Sequence, residues 1–348
     1  MIKLIKAIGA SSETSPLAPM QIKRRALLPD DVEIRVLYCG ICHSDLHQVK
    51  NDFNATTYPV VPGHEIIGEI TAIGENVKRF KIGELAAIGC IVDSCQHCTP
   101  CRHDLEQFCE NGTTYSYNTP DKHLGGVTLG GFAQSYVCKQ DYVLSVPEGL
   151  DPASAAPLLC AGITVYSPLK HWRAGAGKIV GILGIGGLGH MAIKIARAMG
   201  AHVVVFTTSP DKLEDAKKLG AHEAVLSTDA AQMKQWNSKI DLILDTVSAK
   251  HDVNAYLQLL RIDGSVVLVG LPAEPLEIGA FNVVKGRRSF AGSNIGGIAE
   301  TQEMLNFCAD NSIVADIEMV DANQINEAFE RLEKGDVRYR FVVDMTTL

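Results

Sequence analysis

Long hydrophobic runs are missing from this sequence. No stretch reaches the roughly 18 uncharged apolar residues that a membrane-spanning helix needs. Lys3 and Lys6 interrupt the apolar run at the N-terminus, so it lacks the core of a secretory signal peptide. Internal repeats and low-complexity segments are missing as well. These absences favour a cytoplasmic enzyme or binding protein built from ordinary globular domains.

The sequence also has no excess of positive charge. Its 32 Lys and Arg residues stand against 40 Asp and Glu residues, a formal net charge of −8. This balance argues against nucleic acid or an anionic membrane as the main partner. The 348 residues are 46% hydrophobic and 21% charged, which is typical of a soluble globular protein. The chain is long enough for two domains of ordinary size.

The sequence pattern changes near Asp151. Before it, short β-rich runs are separated by Gly and Pro turns, which predicts a barrel-like β domain. The Ala-rich stretch Pro152–Tyr166 predicts one helix. Apolar runs, starting at residues 178–183, then alternate with helical patterns, so we expect a parallel sheet wound on both faces. The predicted fold class is α/β, and helices with a closing strand at 340–344 follow after about Ser293.

A glycine-rich loop follows the first apolar run of the second half. It has the pattern G-x-G-x-x-G and opens a predicted helix, which is the context for binding a dinucleotide diphosphate at a helix N-terminus. A purely structural turn is the alternative. The predicted cofactor-binding residues of this loop are Gly184, Gly186, Gly187, Leu188 and Gly189.

The end of the next strand distinguishes between nicotinamide cofactors. An NAD enzyme is expected to carry Asp or Glu there to hold the adenosine ribose. This chain instead has the hydroxyls of Thr207, Thr208 and Ser209 and the positive charge of Lys212. These groups suit a 2′-phosphate, so the sequence predicts NADP(H). The alternative is an ordinary helix N-cap at Ser209 with a solvated Lys212.

Cysteine is abundant, with ten residues, and four of them are clustered. In a reducing compartment such clusters more often bind metal than form disulfides. Four thiolates in one loop close a tetrahedral shell around Zn²⁺, which predicts a structural zinc site; an iron–sulfur cluster is the alternative. His97 and His103 lie nearby and are interpreted as surface side chains. The predicted ligands are Cys95, Cys98, Cys101 and Cys109.

The stretch Cys39–His47 holds two thiols, two imidazoles, a hydroxyl and a carboxylate. His64, Glu65 and Cys160 are further candidate ligands. Two thiolates and one imidazole leave a fourth zinc position open, as in catalytic zinc sites. Spacing alone does not join these segments. A Cys160 that only packs in a core and a redox dithiol formed by the first two cysteines of the stretch are the alternatives.

Taken together, the motifs resemble the zinc-dependent medium-chain alcohol dehydrogenases. The likeness is greatest to the cinnamyl-alcohol-dehydrogenase branch, which includes bacterial NADPH-dependent aldehyde reductases, and it covers essentially the whole chain. It implies a GroES-like catalytic domain of residues 1–153 and 294–348 and a Rossmann NADP-binding domain of residues 154–293. The motifs that carry the likeness are the stretch 39–47, Pro62–Glu65, the four-cysteine loop, and residues 158–164, 184–190 and 336–342.

The resemblance also implies roles for single residues. Cys42, His64 and Cys160 would hold a catalytic zinc ion, with Glu65 behind or beside it. Asp45 would orient the histidine ligand, in keeping with the need to fix an imidazole ligand.

The proton path and the remaining cofactor contacts follow from the same resemblance. Ser44 would contact the substrate oxygen and begin a proton relay, which His47 would end at solvent. His43 would lie near the diphosphate, Thr164 against the nicotinamide and Arg340 near the cofactor phosphates. Segments 50–58 and 113–120 would wall the substrate pocket.

The implied reaction is hydride transfer between NADP(H) and a primary alcohol/aldehyde pair of broad, aromatic or allylic specificity. Aldehyde reduction is the expected direction, and a homodimer or homotetramer is expected. Zinc, two ions per chain, would serve one catalytic and one structural site. A zinc-stabilised cofactor-binding protein without catalysis is one rival. The zinc-free quinone reductases are another, but they lack the catalytic ligands that this chain has.

Overall fold

The computed structural model describes residues 2–348 and divides the chain into two compact units. The first unit comprises Met1–Cys160 and Gly296–Leu348, and the second comprises Ala161–Ile295. The sequence places the corresponding boundaries after residues 153 and 293. The first division falls later in the structure because residues 152–159 pack on the strands at Asp31–Ile41 and Ile66–Ile73 of the first unit.

The first unit is β-rich up to Cys160. Its helices in this part are α1 (His43–Val49), α2 (Thr99–Arg102) and α3 (Pro152–Ala155). Its strands in this part are β1 (Lys3–Gly9), β2 (Ala18–Arg24), β3 (Asp31–Ile41), β4 (Ile66–Ile73), β5 (Leu85–Ile88), β6 (Ile91–Asp93), β7 (Thr114–Tyr115), β8 (Ser135–Lys139) and β9 (Leu144–Ser145).

The second unit alternates helices and strands. Its helices are α4 (Ala161–His171), α5 (Gly187–Ala198), α6 (Lys212–Lys218), α7 (Ala230–Lys234), α8 (Val253–Leu257) and α9 (Ala280–Val284). Its strands are β10 (Ile179–Leu183), β11 (His202–Thr207), β12 (Glu223–Leu226), β13 (Ile240–Asp245), β14 (Leu260–Leu268) and β15 (Ser289–Gly292). The chain then returns to the first unit with α10 (Ile298–Asp310), β16 (Ile317–Asp321), α11 (Ile325–Glu333) and β17 (Arg340–Asp344).

The main sheet of the first unit is organised around β3. Its order is β16-β17-β3-β4-β5-β9, and β8 also pairs with β3. Strand β17 runs antiparallel to β3, with Phe341 opposite Ile41. Burying one such side chain stabilises the fold by about 1.5–3 kcal/mol, and Ile34, Ile41 and Phe341 are all fully buried. The C-terminal strand therefore lies beside the end of β3, from which the candidate metal ligands begin.

The second unit contains a parallel sheet in the order β12-β11-β10-β13-β14-β15. Its central strands are buried on both faces, which explains their continuous apolar sequences: Val180, Val204 and Leu244 have no exposed surface. The chain leaves β10 for β11 on one side and later reaches β13 on the other side. Ligands of such sheets bind at the carboxyl ends of the strands where this reversal occurs. The α/β fold class predicted from the sequence is confirmed.

The predicted single helix over Pro152–Tyr166 is wrong. Helix α3 ends at Ala155, a 3-10 helix covers Ala156–Leu159, and α4 begins at Ala161. Pro157 has no backbone N–H to continue the α-helical bonding, so the helix breaks in this region. Cys160 lies at the break, with φ −126° and ψ −66°, rather than on a helix.

Residues 2–348 contain no helix that combines the length and the apolar character needed to cross a bilayer.

Candidate active site

Cys42 lies where β3 gives way to α1 and is the N-cap of that helix. Its sulfur accepts a hydrogen bond from the backbone N–H of Ser44 at 3.5 Å. The carboxylate of Asp45 accepts one from the backbone N–H of Cys42 at 2.9 Å, which completes a capping box. The first turn of α1 therefore fixes the thiol and the carboxylate together.

Asp45 also fixes His64, although the two residues belong to different segments. Its Oδ1 atom accepts hydrogen bonds from the backbone N–H of Gly63 at 2.9 Å and from Nδ1 of His64 at 3.1 Å. A carboxylate can only accept, so Nδ1 carries the proton and Nε2 remains available as a ligand atom. Asp45 has no exposed surface, so its negative charge acts directly on the imidazole.

Four potential ligands converge beside this pair. One donor atom from each of Cys42, His64, Glu65 and Cys160 lies within 4.8 Å of all the others. The sulfur atoms of Cys42 and Cys160 are 3.9 Å apart. Two thiolates on one tetrahedral zinc ion, each at about 2.3 Å, would be about 3.8 Å apart. The donor set and its spacing therefore fit a zinc ion.

Among the described residues, only one of the two carboxylate oxygens of Glu65 has a hydrogen-bond partner. Its Oε1 atom accepts a hydrogen bond from the guanidinium of Arg340, whereas Oε2 is buried and has no partner among the described residues. An unsatisfied buried carboxylate oxygen is costly unless another group completes it. This orphaned atom, in a cluster with two thiols and an imidazole, is a second observation that fits a metal ion at the site.

The charges of the cluster influence one another. The pKa of Cys42 lies well below its ordinary value, chiefly because the thiol of Cys160 hydrogen-bonds to it. Burial lowers the pKa of His64, but the charge and hydrogen bond of Asp45 outweigh burial, and the net shift is upward. Burial raises the pKa of Glu65 to about 8, against the opposing effect of Arg340. The site thus holds one thiol readily as thiolate, the form that binds zinc.

Arg340 has different partners from those expected. The resemblance places it near the cofactor phosphates, but its side chain is buried in the first unit. Its guanidinium binds Glu65 and donates to the backbone oxygen of Ile41 at 3.0 Å. Strand β17 begins at Arg340 and pairs with β3, which explains this position.

Ser44 and His47 both lie on α1, but Ser44 is beside the cluster and His47 is partly exposed to solvent. The Ser44 hydroxyl is 3.6 Å from the sulfur of Cys42, beside the cluster. The His47 side chain is 31% exposed, and its Nδ1 atom is 2.7 Å from the carboxylate of Asp52. Sequence reasoning missed Asp52, which lies within the segment 50–58 but in no motif. The ring centroid of His43 is 6.3 Å from that of His47, and burial lowers the pKa of His43.

Two further side chains at the cluster were also missed. The ring centroid of Tyr117 is 5.7 Å from that of His64. The sulfur of Cys90 lies 3.8 Å from the backbone oxygen of Leu159, the residue before Cys160. The predicted wall at residues 113–120 was the only sequence signal for Tyr117, and Cys90 gave none because it stands apart from the four-cysteine loop.

The four-cysteine loop forms a separate cluster. Its four sulfur atoms all lie within 4.8 Å of one another, and those of Cys95 and Cys101 are 4.0 Å apart. Backbone N–H groups donate to two of the sulfurs, from Cys98 to Cys95 at 3.3 Å and from Cys95 to Cys109 at 3.4 Å. Such donors stabilise thiolates. Four sulfurs with no carboxylate or imidazole among them fit a closed structural zinc site.

The glycine loop of the second unit has the geometry that a diphosphate requires. Gly184 follows β10 with φ +85°, a conformation that L side chains rarely adopt. Gly186 is the N-cap of α5, which begins at Gly187 and includes Leu188. A Cβ atom on Gly189 would overlap the carbonyl oxygen of Gly184, so this glycine allows the helix to approach the turn.

The residues after β11 also cluster near this loop. Thr207 is buried at the end of β11, and its hydroxyl accepts a hydrogen bond from the backbone N–H of Ser209 at 3.2 Å. The Lys212 ammonium donates to the backbone oxygen of Ile185 in the glycine loop at 3.1 Å. Thr208 is exposed. The N-cap of α6 is Asp211, so the alternative of an N-cap at Ser209 is wrong. Thr164 is buried in α4.

Comparison with known proteins supports the family resemblance that the motifs indicate. Residues 28–148 match the alcohol dehydrogenase GroES-like domain, and residues 187–310 match the zinc-binding dehydrogenase family. Aldehyde reductase YahK of Escherichia coli is 55% identical over 99% of each chain. NADP-dependent alcohol dehydrogenase C of Mycobacterium tuberculosis is 48% identical over 99% of each chain.

Solved structures agree with these sequence relatives. A cinnamyl alcohol dehydrogenase of Sorghum bicolor superposes with a TM-score of 0.96 at 44% identity, covering 99% of this chain and 98% of its own. The enzyme of the same type from Helicobacter pylori, solved with NADP(H), gives a TM-score of 0.93 at 38% identity over 99% of both chains. The resemblance stated from the motifs is confirmed. This chain belongs to the zinc-binding alcohol dehydrogenase family, with a GroES-like domain and a Rossmann-type parallel sheet.

Proposed function

We propose that the protein is an NADP(H)-dependent alcohol dehydrogenase that acts mainly as an aldehyde reductase. The carrying observation is the convergence of Cys42, His64 and Cys160 around Glu65, whose Oε2 atom has no partner among residues 2–348. Three protein ligands leave one zinc position for a substrate oxygen. The relatives named aldehyde reductase and cinnamyl alcohol dehydrogenase support primary aldehydes of broad, aromatic or allylic type as substrates.

Hydride transfer requires two groups that this chain would bind. Zinc at the cluster supplies a Lewis acid for the carbonyl oxygen, and NADPH supplies the hydride. Cys42, His64 and Cys160 would hold the ion, and Asp45, by accepting from Nδ1 of His64, would leave Nε2 free to bind it. The buried ion pair with Arg340 holds the Glu65 carboxylate in place within the cluster.

Two residues of α1, Ser44 and His47, would deliver the proton. The Ser44 hydroxyl, beside Cys42, would donate its proton to the oxygen of the reduced substrate. His47 is partly exposed and contacts the carboxylate of Asp52, so its imidazole can exchange protons with solvent. Relay of a proton from His47 to Ser44 would restore the hydroxyl for the next turnover.

NADP preference rests on the groups after β11. Thr207, Thr208 and Ser209 offer hydroxyls, Lys212 offers a positive charge, and no carboxylate occupies the first positions after the strand. A 2′-phosphate is therefore attracted and not repelled there. Gly184, Gly186, Gly187, Leu188 and Gly189 would receive the diphosphate at the start of α5. His43 and Thr164 are the proposed contacts to the rest of the cofactor.

We further propose that the chain forms a homo-oligomer. Phe281 and Val284 on α9 are 71% and 74% exposed, and Ile262 is 69% exposed. Strand β15 is an edge of the parallel sheet, and an edge strand can pair with a strand of a second copy. A second copy of the chain packed on this surface would remove these apolar side chains from water. All ten cysteines are free, which suits work in a reducing compartment such as the cytoplasm.

One experiment tests the reaction. The purified protein is assayed for zinc content and for oxidation of NADPH or NADH with aliphatic, aromatic and allylic aldehydes. We expect two zinc ions per chain and faster turnover with NADPH. Cys160→Ala should lose one zinc ion and nearly all activity. Cys308→Ala, a change at a buried cysteine of α10 in contact with Met304, is the matched control and should keep both. Two zinc ions without turnover of any aldehyde would favour the rival, a cofactor-binding protein without catalysis.

The cofactor preference has its own test. Thr208→Ala combined with Lys212→Ala should lower NADPH affinity and leave NADH affinity nearly unchanged. An unaltered preference in this variant would contradict the assignment of these residues to the 2′-phosphate.

A further inference from the structure

His251, in the loop that follows β13, lies between two hydrogen-bond acceptors. Its Nε2 atom is 2.8 Å from Oδ2 of Asp245, and its Nδ1 atom is 2.9 Å from the backbone oxygen of Ala249. A carboxylate and a carbonyl oxygen can only accept, and a neutral imidazole has one N–H group. Both contacts are therefore hydrogen bonds only when the imidazole is protonated. The His251 side chain is 14% exposed and that of Asp245 has no exposed surface, so the pair is largely shielded from water.

The other charged and titratable groups near His251 come from its own loop, from α8 and from the loop at Glu274. Asp252, the N-cap of α8, adds a second negative charge. The ring of Tyr256 on α8 is 6.1 Å from the imidazole, and burial raises the pKa of this phenol, so it stays neutral. The Lys250 ammonium is paired with Glu274 at 2.8 Å. Negative charge thus prevails around His251, and the hydrogen bond to the buried carboxylate raises the pKa of His251, with burial opposing it.

The residue that His251 holds joins the carboxyl ends of neighbouring strands. Asp245 is the last residue of β13. Its backbone oxygen accepts from the N–H groups of Val269 at 2.9 Å and Gly270 at 3.0 Å, which follow β14. Its Oδ1 atom accepts from the backbone N–H of Val247 at 3.1 Å. A carboxylate held by His251 therefore fixes the turn after β13 against the turn after β14.

The next residue carries this arrangement to the glycine loop. The hydroxyl of Thr246 donates to the backbone oxygen of Leu183, the last residue of β10, at 2.6 Å. A Cβ atom on Gly184 would lie 3.2 Å from that hydroxyl oxygen, and one on Gly189 would lie 3.4 Å from it. Thr246 thus packs directly on the loop that would receive the diphosphate.

Strands β10 and β13 are also the pair between which the sheet order reverses. The order β12-β11-β10-β13-β14-β15 places β11 on one side of β10 and β13 on the other. A dinucleotide binds at the carboxyl ends of the strands at such a point. The loop that His251 fastens is therefore part of the edge to which the cofactor would bind.

We propose that His251 is a positioning residue for the dinucleotide, whose imidazolium holds Asp245 and residues 246–250 in the conformation that receives the cofactor. The inference rests on the proposed binding of NADP(H) and adds a residue outside the glycine motif. A loop that is already ordered costs less free energy to bind against, so its fastening raises affinity. Both hydrogen bonds are present below the folded-state pKa of His251, and one is lost as pH rises through it. Cofactor affinity should fall over the same range.

The test compares wild type, His251→Gln and the control His202→Gln. Glutamine keeps a hydrogen-bond donor but cannot carry the positive charge. His202 begins β11, at the amino end of the same sheet, and its ring stacks on that of His222 with the centroids 4.3 Å apart. Dissociation constants for NADPH are measured by fluorescence titration from pH 6 to pH 9. NADH is titrated in parallel, because it lacks the 2′-phosphate, which itself titrates at about pH 6. Amide hydrogen exchange of the cofactor-free proteins is measured at one pH.

We expect His251→Gln to bind NADPH about 10-fold more weakly than wild type at pH 6, the order of effect of one charge-assisted hydrogen bond. The ratio should shrink as pH rises, because wild-type His251 then loses its charge as well. NADH should show the same narrowing. Amides of residues 245–252 and 269–271 should exchange faster in His251→Gln than in wild type. His202→Gln should match wild type in affinity and in exchange.

Other outcomes would overturn the inference in distinguishable ways. Wild-type affinity of His251→Gln at pH 6 would sink it and leave the proposed function standing, because NADPH would still bind. A loss of equal size at every pH would assign His251 a packing role. Faster exchange throughout residues 161–295 would point to general unfolding and against positioning. A wild type that binds neither NADPH nor NADH would overturn the proposed function and this inference together.

Discussion

At the scale of single residues, two Arg–Glu pairs of the first unit share their chemistry but not their surroundings. The side chains of Arg340 and Glu65 are 4% and 0% exposed, whereas those of Arg35 and Glu69 are 54% and 38% exposed. Removing one partner of a buried pair leaves an unpaired charge in a poorly solvated place, which typically costs about 3–5 kcal/mol. An exposed pair contributes about 0–1 kcal/mol.

We therefore expect Arg340→Gln to destabilise the first unit severely and Arg35→Gln to change it little. Thermal unfolding of both variants, followed by circular dichroism at pH 7, measures the difference. Equal and small shifts in melting temperature would contradict the burial of the Arg340–Glu65 pair. The same variants also separate a structural role of Arg340 from a role at the cofactor, because cofactor-free protein is sufficient for the measurement.

Residue roles were only partly predictable from the sequence. The four cysteines of one loop have a spacing that predicts their cluster without any structure. The ligands Cys42, His64 and Cys160 come from segments that spacing cannot join, and only the family resemblance linked them. Tyr117 lies in no motif, and Glu65 and Arg340 lie in two separate motifs whose pairing neither motif indicates. These contacts depend on how β17 and the 113–120 segment pack against the first part of the chain.

At the scale of elements, the packing of α5 against the turn after β10 depends on two glycines with different tasks. A Cβ on Gly189 would overlap the backbone oxygen of Gly184, whereas a Cβ on Gly186 would meet no atom within 4 Å. Overpacking of this kind costs about 1–3 kcal/mol.

We expect Gly189→Ala to lower the melting temperature of the cofactor-free protein and also its NADPH affinity. Gly186→Ala should leave the melting temperature nearly unchanged and lower NADPH affinity alone, because its new methyl group would meet the diphosphate. Calorimetric titration with NADPH and thermal unfolding without it measure the two effects. A stable Gly189→Ala protein would refute the close approach of helix and turn.

The loop after β13 carries a pH-dependent contact. Nε2 of His251 is 2.8 Å from the carboxylate of Asp245, which has no exposed surface. This hydrogen bond raises the pKa of His251 above 6.5, with burial opposing it. The folded protein thus holds the proton more tightly than the unfolded chain, so the stabilisation is complete below pH 6.5 and declines as pH rises through the folded-state pKa.

His251→Gln should accordingly cost more stability at pH 6 than at pH 9. Melting temperatures of wild type and variant across this range measure the gap, with His103→Gln, at an exposed histidine of the other unit, as control. If the difference in melting temperature between wild type and variant grew with pH, the pKa of His251 would be lowered by folding and not raised.

Elements were predicted best where one pattern dominates. The apolar runs of the parallel sheet and the helix after the glycine loop follow from periodicity and burial on both faces. The stretch from Pro152 misled because its alanines favour a continuous helix while Pro157 cannot continue one. The break matters, since it is there that Cys160 faces the cluster.

At the scale of the whole molecule, the proposed homo-oligomer depends on the exposed apolar residues of α9. Phe281→Glu with Val284→Glu should shift the protein toward monomers, because two carboxylates at the centre of a joint surface would be buried without partners. Light scattering after size-exclusion chromatography measures the mass. Met319, an exposed apolar residue of β16 in the other unit, gives the control Met319→Glu, which should leave the mass unchanged.

The large-scale organisation is the part that local patterns could not supply. Strand β17 pairs with β3, some 300 positions earlier in the chain, at Phe341 and Ile41. No window of sequence contains both strands, so the discontinuous first unit followed from the family resemblance and not from periodicity. The parallel sheet, by contrast, lies in one continuous stretch of the chain. It was predictable from the alternation of apolar runs and helical patterns in that stretch.

The order of the ligands along the chain sets an order of events during synthesis. Cys95 to Cys109 leave the ribosome almost together, so their cluster can take up zinc while most of the protein is still unmade. The other cluster needs Cys42, His64 and Cys160, and the carboxylate of Glu65 beside them gains its arginine only when Arg340 emerges, 275 positions later. A ribosome that stalls late therefore leaves a chain with one metal site complete and the other without its final support, and we expect quality-control proteases to meet that species.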